Sequence, residues 1–195
     1  MSPYKANGRN FITAAVLISL LTTIAQTALT GTSLLGVLLA PATVVSAVTG
    51  SWFLFDRWLW KKPIARVLGL SYIPNLNGLW YGDVDRIGEQ APHSFELKVT
   101  QTYSRISMTT KTDNSHGYSI KSFYLCDENL SSFELINYWY CKTKSKGNSG
   151  FEEFHGLSRI RLIDERGLLI LEDEYFTDRN PPTQGRVNLR RRYVA

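Results

Sequence analysis

Two hydrophobic patterns follow one another along this chain. From Phe11 to Phe55 no Asp, Glu, Lys, Arg or His interrupts an apolar run. Wound as helix, the run would reach ~68 Å at about 1.5 Å per residue. A bilayer core is only about 30 Å thick and one crossing takes about 20 residues. Two spans are therefore predicted, Phe11–Leu29 and Leu34–Phe55, turning near Gly31-Thr32-Ser33. Residues 1–60 form a transmembrane hairpin on this reading. Residues 61–73 ("KKPIARVLGLSYI") make an interfacial linker in which Pro63 suits a helix start.

Beyond Ile73 the period becomes two. Strand-like alternation occupies Gly78–Arg86, Ser94–Thr102, Arg105–Lys111, Tyr118–Cys126, Ser132–Thr143, Glu153–Ile163, Leu168–Phe176 and Gly185–Tyr193. Turn-forming clusters such as Asp113-Asn114-Ser115, Lys146-Gly147-Asn148-Ser149-Gly150 and Asn180-Pro181-Pro182 separate them. Strands at this spacing, with no helix between them, predict an antiparallel meander. Residues 74–195 are accordingly read as an all-β domain, an eight-stranded antiparallel up-and-down β-barrel.

Charge changes the picture at one point. Residues 1–70 carry Lys5, Arg9, Arg57, Lys61, Lys62 and Arg66 against Asp56 alone, so the net +5 resides in the apolar part and the barrel part is balanced. A nucleic-acid footprint needs basic charge clustered on the folded domain, and DNA and RNA are set aside as partners. Cations flank both spans and the predicted turn has none. By the positive-inside rule both termini and the barrel then lie in the cytoplasm, with Trp52, Trp58 and Trp60 as an aromatic belt.

The spans carry more than apolar bulk. Ser19, Thr22, Thr23, Gln26, Thr27 and Thr30 draw a polar stripe along the first, and Ala42, Ser46 and Gly50 a small-residue face on the second. Packing within one hairpin would use both features, and so would assembly of several subunits across a bilayer. Gln26 matters most, because an amide in hydrocarbon requires a partner. Pro41 would locally weaken or kink the second span.

Inside the barrel, alternation turns Phe95, Leu97, Val99, Met108, Leu135, Phe154 and Ile160 inward. It mixes Gln101, Thr110, Ser122, Asn137, Ser158, Tyr118, Tyr124 and Trp139 among them. Polar groups are costly to bury in a dry core, so the interior is read as a ligand cup, the other reading being a packed core with satisfied polar groups. On the last strand Val187 and Leu189 share their parity with Arg191 and Tyr193. A cation and a phenol there suit an anionic ligand, unless Arg190 to Arg192 are simply solvated. The acidic groups Asp83/Asp85, Glu152/Glu153 and Glu172/Asp173/Glu174 are read as a solvated rim. His93, His116 and His155 lack metal-ligand spacing, Cys126 and Cys141 make no framework, and no cofactor motif occurs. The chain reads as a binding and membrane-acting protein, not an enzyme.

Two resemblances extend this reading. Gly78-x-Trp80 is similar to the Gly-x-Trp that opens lipocalin-type barrels, which casts Trp80 as the plug of the closed end. The pattern Pro74-x-Leu76-x-Gly78-x-Trp80-x-Gly82, the exit through Asp178-Arg179 and Gly185 to a final basic strand, and the apolar run together resemble one family. It is the two-transmembrane, β-strand-rich effectors of cyclic-oligonucleotide-based antiphage signalling, CBASS. The resemblance implies a protein of the bacterial inner membrane whose barrel binds a cyclic dinucleotide made by a partner nucleotidyltransferase. Binding would drive homo-oligomerisation, and the hairpins would then disrupt the membrane and kill the infected cell. Arg179 and Arg191 would hold phosphate, with Tyr118, Trp139, Tyr175 and Tyr193 on bases or ribose. A second reading is a membrane-tethered barrel for a lipid or other apolar ligand, with Arg191-x-Tyr193 clamping a carboxylate.

Overall fold

In the computed structural model the backbone is described for residues 8–30, 34–87, 92–125, 133–144, 151–165 and 168–191, and side chains from residue 10 except at 30, 34–41, 151 and 164. The chain divides into two compact units, 3–74 and 75–195.

In the first unit the apolar run forms α1 (Gly8–Thr30) and α2 (Leu34–Arg57). Residues Asn10–Leu29 of α1 are long and apolar enough to cross a membrane. α2 is helical through Pro41. The hydroxyls of the polar stripe bond back into their own helix: Ser19 to the Ala15 carbonyl (2.9 Å), Thr22 to Ile18 (2.7 Å), Thr23 to Ser19 (2.9 Å) and Thr27 to Thr23 (2.9 Å). Such back-bonding satisfies a hydroxyl without any second helix. Gln26 finds its partner within the chain, where Thr43 Oγ1 donates to its Oε1. Phe11 meets Trp52 and Phe55 edge-on, at 5.8 and 5.3 Å between ring centroids. The side chain of Thr30 and the turn at 31–33 lie outside the described residues. Trp52 and Trp58 are exposed, whereas Trp60, expected in the same belt, is buried. A short 3₁₀ turn (Leu59–Lys61) precedes α3 (Pro63–Val67), whose first residue is the proline.

In the second unit the alternation builds eight strands: β1 (Gly78–Arg86), β2 (His93–Gln101), β3 (Ile106–Lys111), β4 (Ser115–Leu125), β5 (Phe133–Lys144), β6 (Phe151–Glu165), β7 (Leu168–Thr177) and β8 (Gln184–Arg191). Every neighbouring pair is antiparallel, and β8 returns to β1 to close the barrel. β5 is laced to β6 over twelve residue pairs, but β3 to β4 over three. A bulge between Ser119 and Lys121 interrupts β4. On the outer wall the Glu134 carboxylate is nearly covered, gripped by Arg159 Nε (2.8 Å) and Arg161 Nε (3.2 Å).

One end of the barrel is sealed by the segment entering β1. Trp80 and Leu76 are fully buried. Trp80 Nε1 donates to the Leu76 carbonyl (2.9 Å), and the Leu76 amide donates to Gln101 Oε1 (2.7 Å). Gln101 Nε2 continues to the Tyr124 hydroxyl (2.9 Å). Asn77 brackets the Gln101 backbone, accepting from its amide (2.7 Å) and donating to its carbonyl (3.0 Å). Gln101, assigned to a ligand cup by parity, thus belongs to this seal.

Candidate functional site

Above the seal the inward side chains leave a cavity open at the other end. Its enclosed volume is about 70 Å³, small beside the about 300–1,000 Å³ usual for ligand sites. Val84, Leu97, Met108, Ile160 and Val187 give it an apolar girth, on which Trp139, Phe154 and Tyr175 form an aromatic wall. The Trp139 ring meets Phe154 at 5.9 Å and Tyr175 at 6.3 Å, both edge-on, the arrangement ring quadrupoles favour. Trp139 Nε1 donates to Ser158 Oγ (2.9 Å), and Ser122 Oγ donates to Asn137 Oδ1 (2.8 Å).

Glycines make room for this wall. Trp139 pairs across the sheet with Gly156, where a Cβ would stand 2.2 Å from the indole. Tyr175 pairs with Gly185, where a Cβ would meet its hydroxyl at 2.8 Å and the Asp85 carbonyl at 2.3 Å. Gly156→Ala is therefore expected to push Trp139 off its bond to Ser158. It should cost about 1–3 kcal/mol of stability by overpacking and shift the Trp139 indole N–H resonance in an NMR spectrum; an unmoved resonance would contradict this packing.

Two arginines, Arg86 and Arg179, stand at the mouth. The turn after β7 places Arg179. Thr177 and Thr183 bind each other through their hydroxyls (2.7 Å) and through the Thr177 amide on the Thr183 carbonyl (2.9 Å). Asp178 Oδ1 accepts from the His155 amide (2.7 Å). Arg179 then spans Phe154, its guanidinium carbon 4.7 Å from the ring centroid, with Nε on Glu152 Oε1 (3.0 Å). Such a guanidinium, stacked and oriented at a cavity rim, suits phosphate. Cys141 also lines the cavity; burial pushes its thiol up, which leaves it protonated and a weak nucleophile.

Trp139, Tyr175 and Arg179 thus meet in one cavity, and two other expected residues, Tyr118 and Arg191, do not join them. Tyr118 lies on the outer face, 53% exposed. Ile120 forms the bulge of β4, so Tyr118 pairs with outward Tyr140 while Ser122 pairs with inward Asn137. Arg191 points inward, but at the sealed end. It pairs with Trp80, lies over that ring at 5.8 Å, and donates to the carbonyls of Asn75 (3.3 Å) and Asn77. A carboxylate clamp built on Arg191 loses its basis for the same reason. Tyr193 lies outside the described residues. Two charged residues of the cavity were missed. Arg86 continues the inward series Val84–Arg86, and Asp173, taken for solvated rim, continues Leu171–Asp173–Tyr175 and is 9% exposed. Parity applied to β1 and β7 would have found both.

Comparison with known proteins follows this geometry. A family model described as "Cap15, cyclic dinucleotide receptor domain" matches residues 71–191. Among curated proteins, the CD-NTase-associated protein 15 of Yersinia aleksiciae is 26% identical over 159 residues, covering 77% of this chain and 73% of that one. The protein of the same name from Escherichia albertii is 24% identical over 121 residues, 62% of each chain. The match spans the whole barrel and the cavity within it, and the chain belongs to the Cap15 family: it is a CBASS membrane effector whose barrel is a cyclic dinucleotide receptor domain.

Proposed function

We propose that a cyclic dinucleotide enters the barrel cavity, engages Arg86 and Arg179 through its phosphates and the Trp139–Tyr175 wall through a base, and thereby triggers assembly of the membrane helices. The observation that carries the reading is the pairing of cationic mouth and aromatic interior in one cavity. The ligand carries two phosphate charges and two flat bases, and guanidinium and indole are the groups that recognise them. A phosphate reaching Arg179 would take the place Glu152 now holds. The relatives' name ties them to a CD-NTase, and a partner nucleotidyltransferase is the source of ligand in this reading.

In the same reading α1 and α2 both cross the inner membrane as a hairpin, with the termini and barrel in the cytoplasm, and activated copies associate until the bilayer is breached. The contacts of Phe11 with Trp52 and Phe55, and of Gln26 with Thr43, support the hairpin. Because Gln26 has its partner at home, the surface that best supports association is the exposed face of Ala42, Ser46 and Gly50. A Cβ at Gly50 would meet nothing within 4 Å, so a neighbouring helix could approach closely there.

Arg179→Ala and Arg191→Ala test the site together by calorimetric titration of the full chain in detergent against a cyclic dinucleotide panel. Losing a charged hydrogen bond at Arg179 should weaken binding by roughly 10- to 100-fold. Arg191→Ala should lower the melting temperature and leave affinity within about threefold. The reverse pattern would move the phosphate site to the sealed end and refute this assignment.

A further inference from the structure

The cavity holds one group that the roles above leave unused. Asp173 stands on β7 between Ile160 of β6 and Val187 of β8. Its side chain is more than nine-tenths buried against the cavity, yet its Oδ1 has no hydrogen-bond partner. The neighbouring polar groups are matched: Trp139 with Ser158, and Ser122 with Asn137. Burying a carboxylate oxygen without a donor is costly, and such cost, kept inside a cavity, points to function. Burial, with Glu174 beside it, pushes the carboxyl up to about 7 in spite of a hydrogen bond from Ser158.

Resting on the receptor reading above, we infer that Asp173 is the base-reading residue of the site. It accepts the ring N–H of an inserted nucleobase, and so selects a lactam or imide edge, as in guanine or uracil. Three observations converge on this. The open acceptor lies inside the cavity, past the arginines at its mouth, where the base and not the phosphate would reside. Trp139 and Tyr175, whose rings line the same wall, supply the faces against which a base lies. An ionised carboxylate only accepts, so adenine or cytosine would set the lone pair of a bare ring nitrogen against it. Their amino group could still donate, but the neighbouring lone pair would oppose the contact. A ring N–H reverses that sign and makes a charge-assisted bond in a dry site.

The test is titration of the full chain in detergent, at pH 8 where the carboxyl is ionised, with cyclic dinucleotides bearing guanine, uracil, adenine or cytosine. The parent should bind guanine- or uracil-bearing ligands at least 10-fold more tightly than the others. Asp173→Asn keeps the shape but can turn a donor to the base. It should weaken the favoured ligands by roughly 10- to 100-fold, change the others by less than about threefold, and so erase the preference. A parent that prefers adenine or cytosine, or an Asn variant that keeps the parent's preference or loses all bases equally, overturns the role of Asp173 and leaves the receptor intact. A folded parent that binds no member of the panel overturns the receptor reading itself. Should Asp173→Asn not fold, Asp173→Ser serves in its place with the same outcomes.

Discussion

Trp80→Ala should destabilise the barrel by about 3–5 kcal/mol, the range for truncating a buried tryptophan. Total stabilities of single domains are about 5–15 kcal/mol, so the variant would lose a large share of its stability. The size follows from what Trp80 joins. Its ring is fully buried, so truncation leaves a hole in the seal. Its Nε1 satisfies the Leu76 carbonyl, which would remain buried without a donor. Arg191 would also lose the ring beneath its guanidinium. Trp80→Phe separates the contributions: it restores most of the bulk and should recover much of the loss, but not the part due to the Leu76 carbonyl. Chemical denaturation of the full chain in detergent measures both. A cost below about 1 kcal/mol for the alanine variant would contradict the sealing role.

Asp173→Asn should stabilise the ligand-free chain, and increasingly so as pH rises. The Asp173 carboxyl titrates near 3.8 when unfolded and is raised to about 7 in the fold. Below the lower value both states are protonated and the residue has no effect on stability. Between the two values the unfolded chain releases the proton while the folded chain keeps it, so stability falls. Above about 7 the loss is complete. At ~1.4 kcal/mol per pH unit it reaches about 4 kcal/mol. The asparagine variant has no such slope, so the gap between it and the parent should widen from pH 4 to pH 8 and then level off. Melting curves across that range decide the matter; a gap independent of pH would show that the carboxyl does not carry this burden. The site thus holds a group that weakens the empty barrel and that a donor on the ligand would relieve, the trade between stability and function common at binding sites.

Much of the fold was legible because period-two alternation and turn chemistry are local signals. Strand β1 matches the predicted segment at both ends, and the others differ by at most a few residues. Side-chain direction was legible wherever the alternation ran unbroken, which turned Trp139 and Ser158 inward; Tyr175 was expected at the ligand only from the resemblance. Alternation failed at Tyr118 because a single residue, Ile120, is looped out, and nothing in "YSIKS" marks it. Arg191 shows a second limit. Parity says in or out, but height along the barrel axis depends on the register of β8 against β1, a pairing of residues more than a hundred apart in the chain. The acidic run at Glu172 to Glu174 shows a third. Charge suggested solvent, whereas alternation, followed strictly, put Asp173 inside; the alternation was the stronger signal because one backbone direction binds every residue of a strand at once.

The unequal pairing of the strands has a mechanical consequence. The barrel is a hoop whose joints are not equally strong: every joint but one is laced over six or more residue pairs, and β3 with β4 over three. A load that widened the hoop would be taken up at that weakest joint, where the Met108 amide is held by the Ser119 hydroxyl (2.7 Å) instead of a ladder bond. Trp139, Ser158, Asp173 and Tyr175 all sit on β5, β6 and β7, across the two strongest kinds of joint. The hoop can therefore yield on one side to admit a bulky guest while the wall that would grip the guest keeps its shape.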